Sequence, residues 1–111
     1  MTDALVRTPV LKLEGPLTVK EVEDVVFHAA RSDPHFEAAQ RTWMDADRSY
    51  FIRWRATDAD PLQVIGLIHA YQLPEMASRV EAIPFDVSAD QGPLHAYVRL
   101  LEAELTAQGF A

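Results

Sequence analysis

Proton transfer near neutral pH needs an imidazole, or a carboxylate whose pKa has been moved toward working pH. The imidazoles of this chain are His28, His35, His69 and His95. None has a partner at HxxxH or HExxH spacing, so no metal site is expected. His28 and His35 are seven positions apart, but Ser32-Asp33-Pro34 interrupts any shared helical face. His69 sits in a long apolar run, either as a proton acceptor or as a satisfied core residue. His95 stands near a helix start, where it could touch an anion. The serines, Ser32, Ser49, Ser78 and Ser88, all lie outside a G-x-S-x-G elbow. The chain has no cysteine, which removes disulfides, thiolate metal sites and a thiol nucleophile. Arg53 and Arg55 flank Trp54, either as an anion-binding or stacking patch or as a solvated sheet face around a core tryptophan. Asp45, Asp47, Asp58 and Asp60 read first as turn formers and caps.

A different chemistry is possible at FDVSADQGPLHAYVRLLEAEL, Phe85 to Leu105. It reads as a strand end, a short turn and an amphipathic helix. Backbone amides at a helix start can hold phosphate oxygens, helped by the helix dipole. Pro93 lacks one of those donors and suits the first helical position of a plain strand-turn-helix connection. Both readings stay open.

The elements that must position these groups follow from periodicity and punctuation. ALVRTPVLKLEG predicts a strand over Val6 to Leu13, with Pro9 marking an edge or bulge. LTVKEVEDVVFHAAR predicts a helix, opened by the Thr18/Glu21 capping box and the Leu17/Val22 staple. Asp33-Pro34 suits the cap and first residue of another helix, and Phe36, Ala39, Gln40 and Trp43 fall on one helical stripe. SYFIRWRATDADPLQVIGLIHAYQLP reads as a hairpin turning at TDADP. Its second strand, Leu62 to Tyr71, is apolar on both faces, as in a central strand. Ser78 to Val87 predicts a third strand, with Pro84 marking an edge, a bulge or a local parting of strands. Leu94, Tyr97, Val98, Leu101 and Leu105 stripe a last helix, closed by Gly109. The expected order is β-α-α-β-β-β-α, an α/β (α+β) sandwich on a mostly antiparallel sheet.

That order resembles the N-terminal part of the GNAT superfamily of acyl-CoA-dependent N-acyltransferases. Members carry V-x-P-x-x-[QR]-x-x-G-x-[GA] where a bulged strand meets a helix that holds the coenzyme pyrophosphate. Here the stretch is Val87-Ser88-Ala89-Asp90-Gln91-Gly92-Pro93-Leu94-His95-Ala96. Val87, Gln91 and Ala96 match. The Val87–Gln91 spacing is one residue short, Leu94 replaces the central glycine, and Asp90 adds a negative charge. The resemblance implies that acetyl-CoA or another acyl-CoA binds at Phe85, Val87, Gln91, Gly92, Leu94, His95 and Ala96. It also implies an acyl transfer to an amine, with Glu81 or His69 as base. The family's cleft needs a further strand beyond the position of Ala111. The resemblance therefore implies either a second subunit that completes the sheet along an edge at Ser78–Val87, or a domain without transferase activity. The alternative is a non-enzymatic interaction or dimerisation module.

Composition bounds the partners. The 111 residues, 49% of them apolar, suit one domain over 1–111 with a modest core that a dimer interface would help to stabilise. A net charge of −7 with scattered Lys and Arg argues against nucleic acid. No basic-then-apolar start and no run of about 20 apolar residues is present, so a soluble cytoplasmic protein is expected, with no membrane partner.

Overall fold

A computed structural model describes residues 8–43 and 46–111. The elements are β1 (Leu11–Gly15), α1 (Val19–Arg31), β2 (Phe36–Trp43), β3 (Asp47–Trp54), β4 (Gln63–Leu73), β5 (Ala77–Pro84) and α2 (Gly92–Ala107). The fold is α+β, a five-stranded antiparallel sheet in the order β1-β5-β4-β3-β2 with two helices.

The expected helix after Asp33-Pro34 is strand β2, so the order is β-α-β-β-β-β-α rather than β-α-α-β-β-β-α. Asp33 caps a tight turn instead of a helix: its carboxylate accepts from the His35 amide at 2.9 Å and its carbonyl from the Phe36 amide at 3.1 Å. Phe36, Ala38 and Gln40 then oppose Trp54, Ile52 and Tyr50 across the ladder. The segment carries a period-two set (Phe36, Ala38, Gln40) beside the helical stripe (Phe36, Ala39, Gln40, Trp43), and pairing with β3 decides between them. The first strand also shifts, to Leu11–Gly15, with Pro9 ahead of it. The Val6–Arg7 part of the expected range lies outside the described residues.

The start of α1 and the end of α2 follow local rules. Thr18 and Glu21 form the reciprocal capping box. At the end of α2, Gly109 has φ +96°, Phe110 N–H donates to the Leu105 carbonyl (3.0 Å) and Gly109 N–H to the Thr106 carbonyl (3.1 Å), a Schellman closure. Phe110 is thereby turned onto Gly15, and Ala111 exchanges two backbone hydrogen bonds with Glu14 on the outer side of β1.

The helices pack on one face of the sheet. Val22 and Val26 of α1 and Leu94, Tyr97 and Leu101 of α2 join Tyr50, Ile52, Ile68 and Val80 in the core. Tyr97 donates to the Val26 carbonyl at 2.9 Å and ties the two helices together. Arg48 and Tyr50 reach from β3 to the same Glu23 oxygen of α1, at 3.3 and 2.8 Å. Burial and the Glu23 carboxylate push the Tyr50 phenol well above its ordinary range.

β5 is an interior strand. Its Ser78–Ala82 side pairs with Gly15–Leu11 of β1, so the edge expected there for a second subunit is already occupied. Nor do strands part at Pro84. Pro84 opposes Gly66, and the Phe85 amide still donates to the Ile65 carbonyl at 3.2 Å. Amides alternate sides along a strand, so the donor that Pro84 lacks would face the side where β1 has ended, which is where proline is tolerated. Register shifts lie instead in β4 at Val64–Gly66, opposite Ile52 and Arg53, and in β2 between Gln40 and Thr42.

Candidate functional site

The turn before α2 is held by its own side chains. The Asp86 carboxylate accepts from the Ser88 amide (3.0 Å) and hydroxyl (2.7 Å). Gln91 donates to the carbonyls of Asp86 (2.8 Å) and Ala89 (2.7 Å). Gln91 thus braces the loop. Of the amides expected to cradle phosphate, that of Gly92 donates to Asp90 Oδ1 at 2.9 Å, that of His95 donates to the Gln91 carbonyl at 2.9 Å, and Pro93 has none. Leu94 is 1% exposed, with its tip directed at Gly66 of β4. Val87 is 63% exposed, and His95 and Ala96 lie on the solvent side of α2.

Beside this turn is a cleft of about 290 Å³, walled by Trp54, Ile65 and Phe85, with Asp86, Asp90 and Gln91 on its rim. Its size sits at the lower end for small-molecule sites, which run from about 300 to 1,000 Å³. Among the described residues no lysine or arginine lines it, and two carboxylates do. That lining opposes a diphosphate, since nothing there compensates the ligand's charge.

The two candidate bases are brought together, but elsewhere. His69 and Glu81 are direct cross-strand partners of β4 and β5. They share a row with Ser49 and Lys12 on the face of the sheet opposite the helices. His69 Nδ1 lies 2.9 Å from the Tyr71 hydroxyl, and its Nε2 is buried with no partner among the described residues. Burial, and secondarily the Arg41 charge, hold the His69 pKa below its ordinary value, against the pull of Glu81 and Asp47. Burial and Glu81 raise the Tyr71 phenol. His69 is four residues along β4 from Ile65 in the cleft, about 13 Å at ~3.3 Å per residue. The base pair and the residues expected to hold a cofactor are therefore not one site. Tyr71 was missed by sequence reading, although its i+2 position to His69 on a strand places both on one face.

The other singled-out residues serve the surface. Arg53 pairs with Glu37 across β2 and β3, and Arg55 lies 3.8 Å from Asp58. His28 meets Glu104 at 2.7 Å, and His35 lies 3.0 Å from the Arg55 carbonyl. Among the described residues no group of three His, Cys, Asp or Glu converges as metal ligands. Among the described residues no helix is long and apolar enough to cross a membrane.

The helix-free face carries an apolar band between polar rows. Ala39, Phe51, Leu67 and Ile83 oppose one another across four strands. Phe85 extends the band, edge-on to Phe51 at 6.4 Å between ring centroids. Arg41 lies over the Phe51 ring at 5.9 Å. Phe85 is 40% exposed and Leu67 only 9%, because its neighbours on the band shield it. Compared with known proteins, the sequence matches no family model and no curated protein.

Proposed function

We propose that this domain is a non-catalytic protein-interaction module that works through the helix-free face of its sheet. The observation that carries this reading is the apolar band Ala39–Phe51–Leu67–Ile83–Phe85, framed by charged residues and, among the described residues, covered by no helix. A contiguous apolar patch with a polar rim is the usual signature of a docking surface. The acyl-CoA reading has less support. The strand seam at Phe85 is hydrogen-bonded, Leu94 and Tyr97 are buried in the core, and the adjacent cleft is acidic.

Calorimetric titration with acetyl-CoA separates the two. The interaction module gives neither heat nor thermal stabilisation at millimolar coenzyme. Saturable binding that shifts amide resonances of residues 85–96 would restore the acyltransferase reading.

A further inference from the structure

We propose that the occupant of the helix-free face is a second copy of this chain, packed face to face about a two-fold axis near Leu67. The inference rests on the interaction-module reading and adds the partner.

Charge is the first reason. Among the described residues the face carries four basic side chains, Lys12, Arg41, Arg53 and Arg79, and four acidic ones, Glu14, Glu37, Asp47 and Glu81. It is therefore balanced, on a chain whose net charge is −7. The excess negative charge lies elsewhere, so two copies repel in most orientations and least when these faces meet. A two-fold interface is made of one patch against itself, and such a patch needs both signs to be self-complementary. Two of the basic residues are already held in place by acidic partners on the same face, Arg53 by Glu37 and Arg79 by Glu14 (3.0 Å). Their orientation is fixed before any association, which lowers the ordering cost of binding.

Area is the second reason. Five strands about 4.8 Å apart, averaging about eight residues at ~3.3 Å, give a face of about 600 Å² in projection and more over corrugated side chains. That is the order of the ~800 Å² per partner of a stable interface. Leu67 lies on the central strand of the five, so an axis there would bring the more exposed Phe51, Ile83 and Phe85 around it against the second copy.

Sedimentation velocity on the intact chain from 1 to 500 µM tests this. The expected result is a monomer–dimer equilibrium that Phe51→Glu weakens by about tenfold or more. Lys12→Glu with Arg41→Glu is the second variant. Both residues are exposed, so folding does not depend on them, and the exchange makes the face acidic. It should weaken the dimer by a similar factor, most strongly at low salt. A monomer at 500 µM overturns the second-copy proposal and leaves the interaction-module reading to the acetyl-CoA titration. A dimer that neither variant affects also overturns it, because another surface would then be in use.

Discussion

Gly66 and Leu94 provide a quantitative test of how the head of α2 is seated on the sheet. A Cβ built at Gly66 would lie 2.5 Å from Leu94 Cδ1 and 3.2 Å from the Ile83 carbonyl oxygen. The first contact is far inside van der Waals distance, and Leu94 is too enclosed to swing away. Gly66→Ala should therefore cost about 2 kcal/mol through overpacking, within the ~1–3 kcal/mol range of such changes. Leu94→Ala should cost about 3 kcal/mol, for lost burial and the cavity left behind. In the double variant the new methyl enters the space vacated by the leucine tip. The loss should then be about 3 kcal/mol rather than the sum of about 5, a coupling of about 2 kcal/mol. Urea unfolding followed by circular dichroism measures all three variants, and at this chain length each kcal/mol corresponds to roughly 4 °C in Tm. Additivity within about 0.5 kcal/mol would refute the reasoning, since it would mean that Leu94 does not fill the space over Gly66. The start of α2 would then have room for a ligand, and the case against a coenzyme cradle would lose its main structural support.

Three further outcomes follow from particular contacts. Glu23→Ala removes the acceptor of the Tyr50 hydroxyl and one partner of Arg48 at the helix–sheet seam and should cost about 3 kcal/mol, with Glu23→Gln recovering part of it; chemical denaturation reads both. Thr18→Ala removes the cap of α1 and should cost about 1 kcal/mol, whereas Thr18→Ser should be nearly neutral by the same measurement. His69 has a depressed folded-state pKa on a surface shared with Tyr71, Glu81, Asp47, Arg41 and Lys12. Its unfolded form titrates near ~6.5, so as pH falls through that value the unfolded chain binds a proton first and stability declines. His69→Gln should flatten the Tm–pH curve between pH 7 and 5.5, and an unchanged slope would contradict the assignment.

What was legible in the sequence was whatever is decided locally. The Thr18–Glu21 box, the TDADP turn and the Gly109 closure each depend on a few adjacent residues, and each is found as expected. β2 was illegible for the opposite reason. Asp33-Pro34 has the chemistry of a helix start, and only the partner strand, more than ten residues later, makes Phe36–Trp43 extended. The place of β1 was hidden in the same way. Nothing near Leu11 announces that it closes the sheet beside Ser78–Ala82, and that pairing removed the edge expected to recruit a second subunit. The His69–Glu81 pairing was legible as two residues on neighbouring strands, but their common face and their distance from the turn at Gln91 depend on register.

The placement of His69 and Glu81 makes the catalytic and the interaction readings converge on one requirement. A general base gains its power in surroundings that exclude water and hold fixed dipoles. In a single copy these two residues lie on a sheet face with no helix over it, and the cleft that could enclose a substrate is about four residues away along β4. Proton transfer at His69 would therefore need another surface to cover the face first. Covering it with a second copy buries the neutral imidazole beside the Tyr71 hydroxyl and sets Glu81 among the four basic residues of each facing sheet, which is a way to satisfy polar groups in an interface. In the proposed dimer it also closes the approach to His69 from the open face of the sheet. The same burial that would tune the base would then exclude its substrate, so the dimer and catalysis at His69 are mutually exclusive uses of this face.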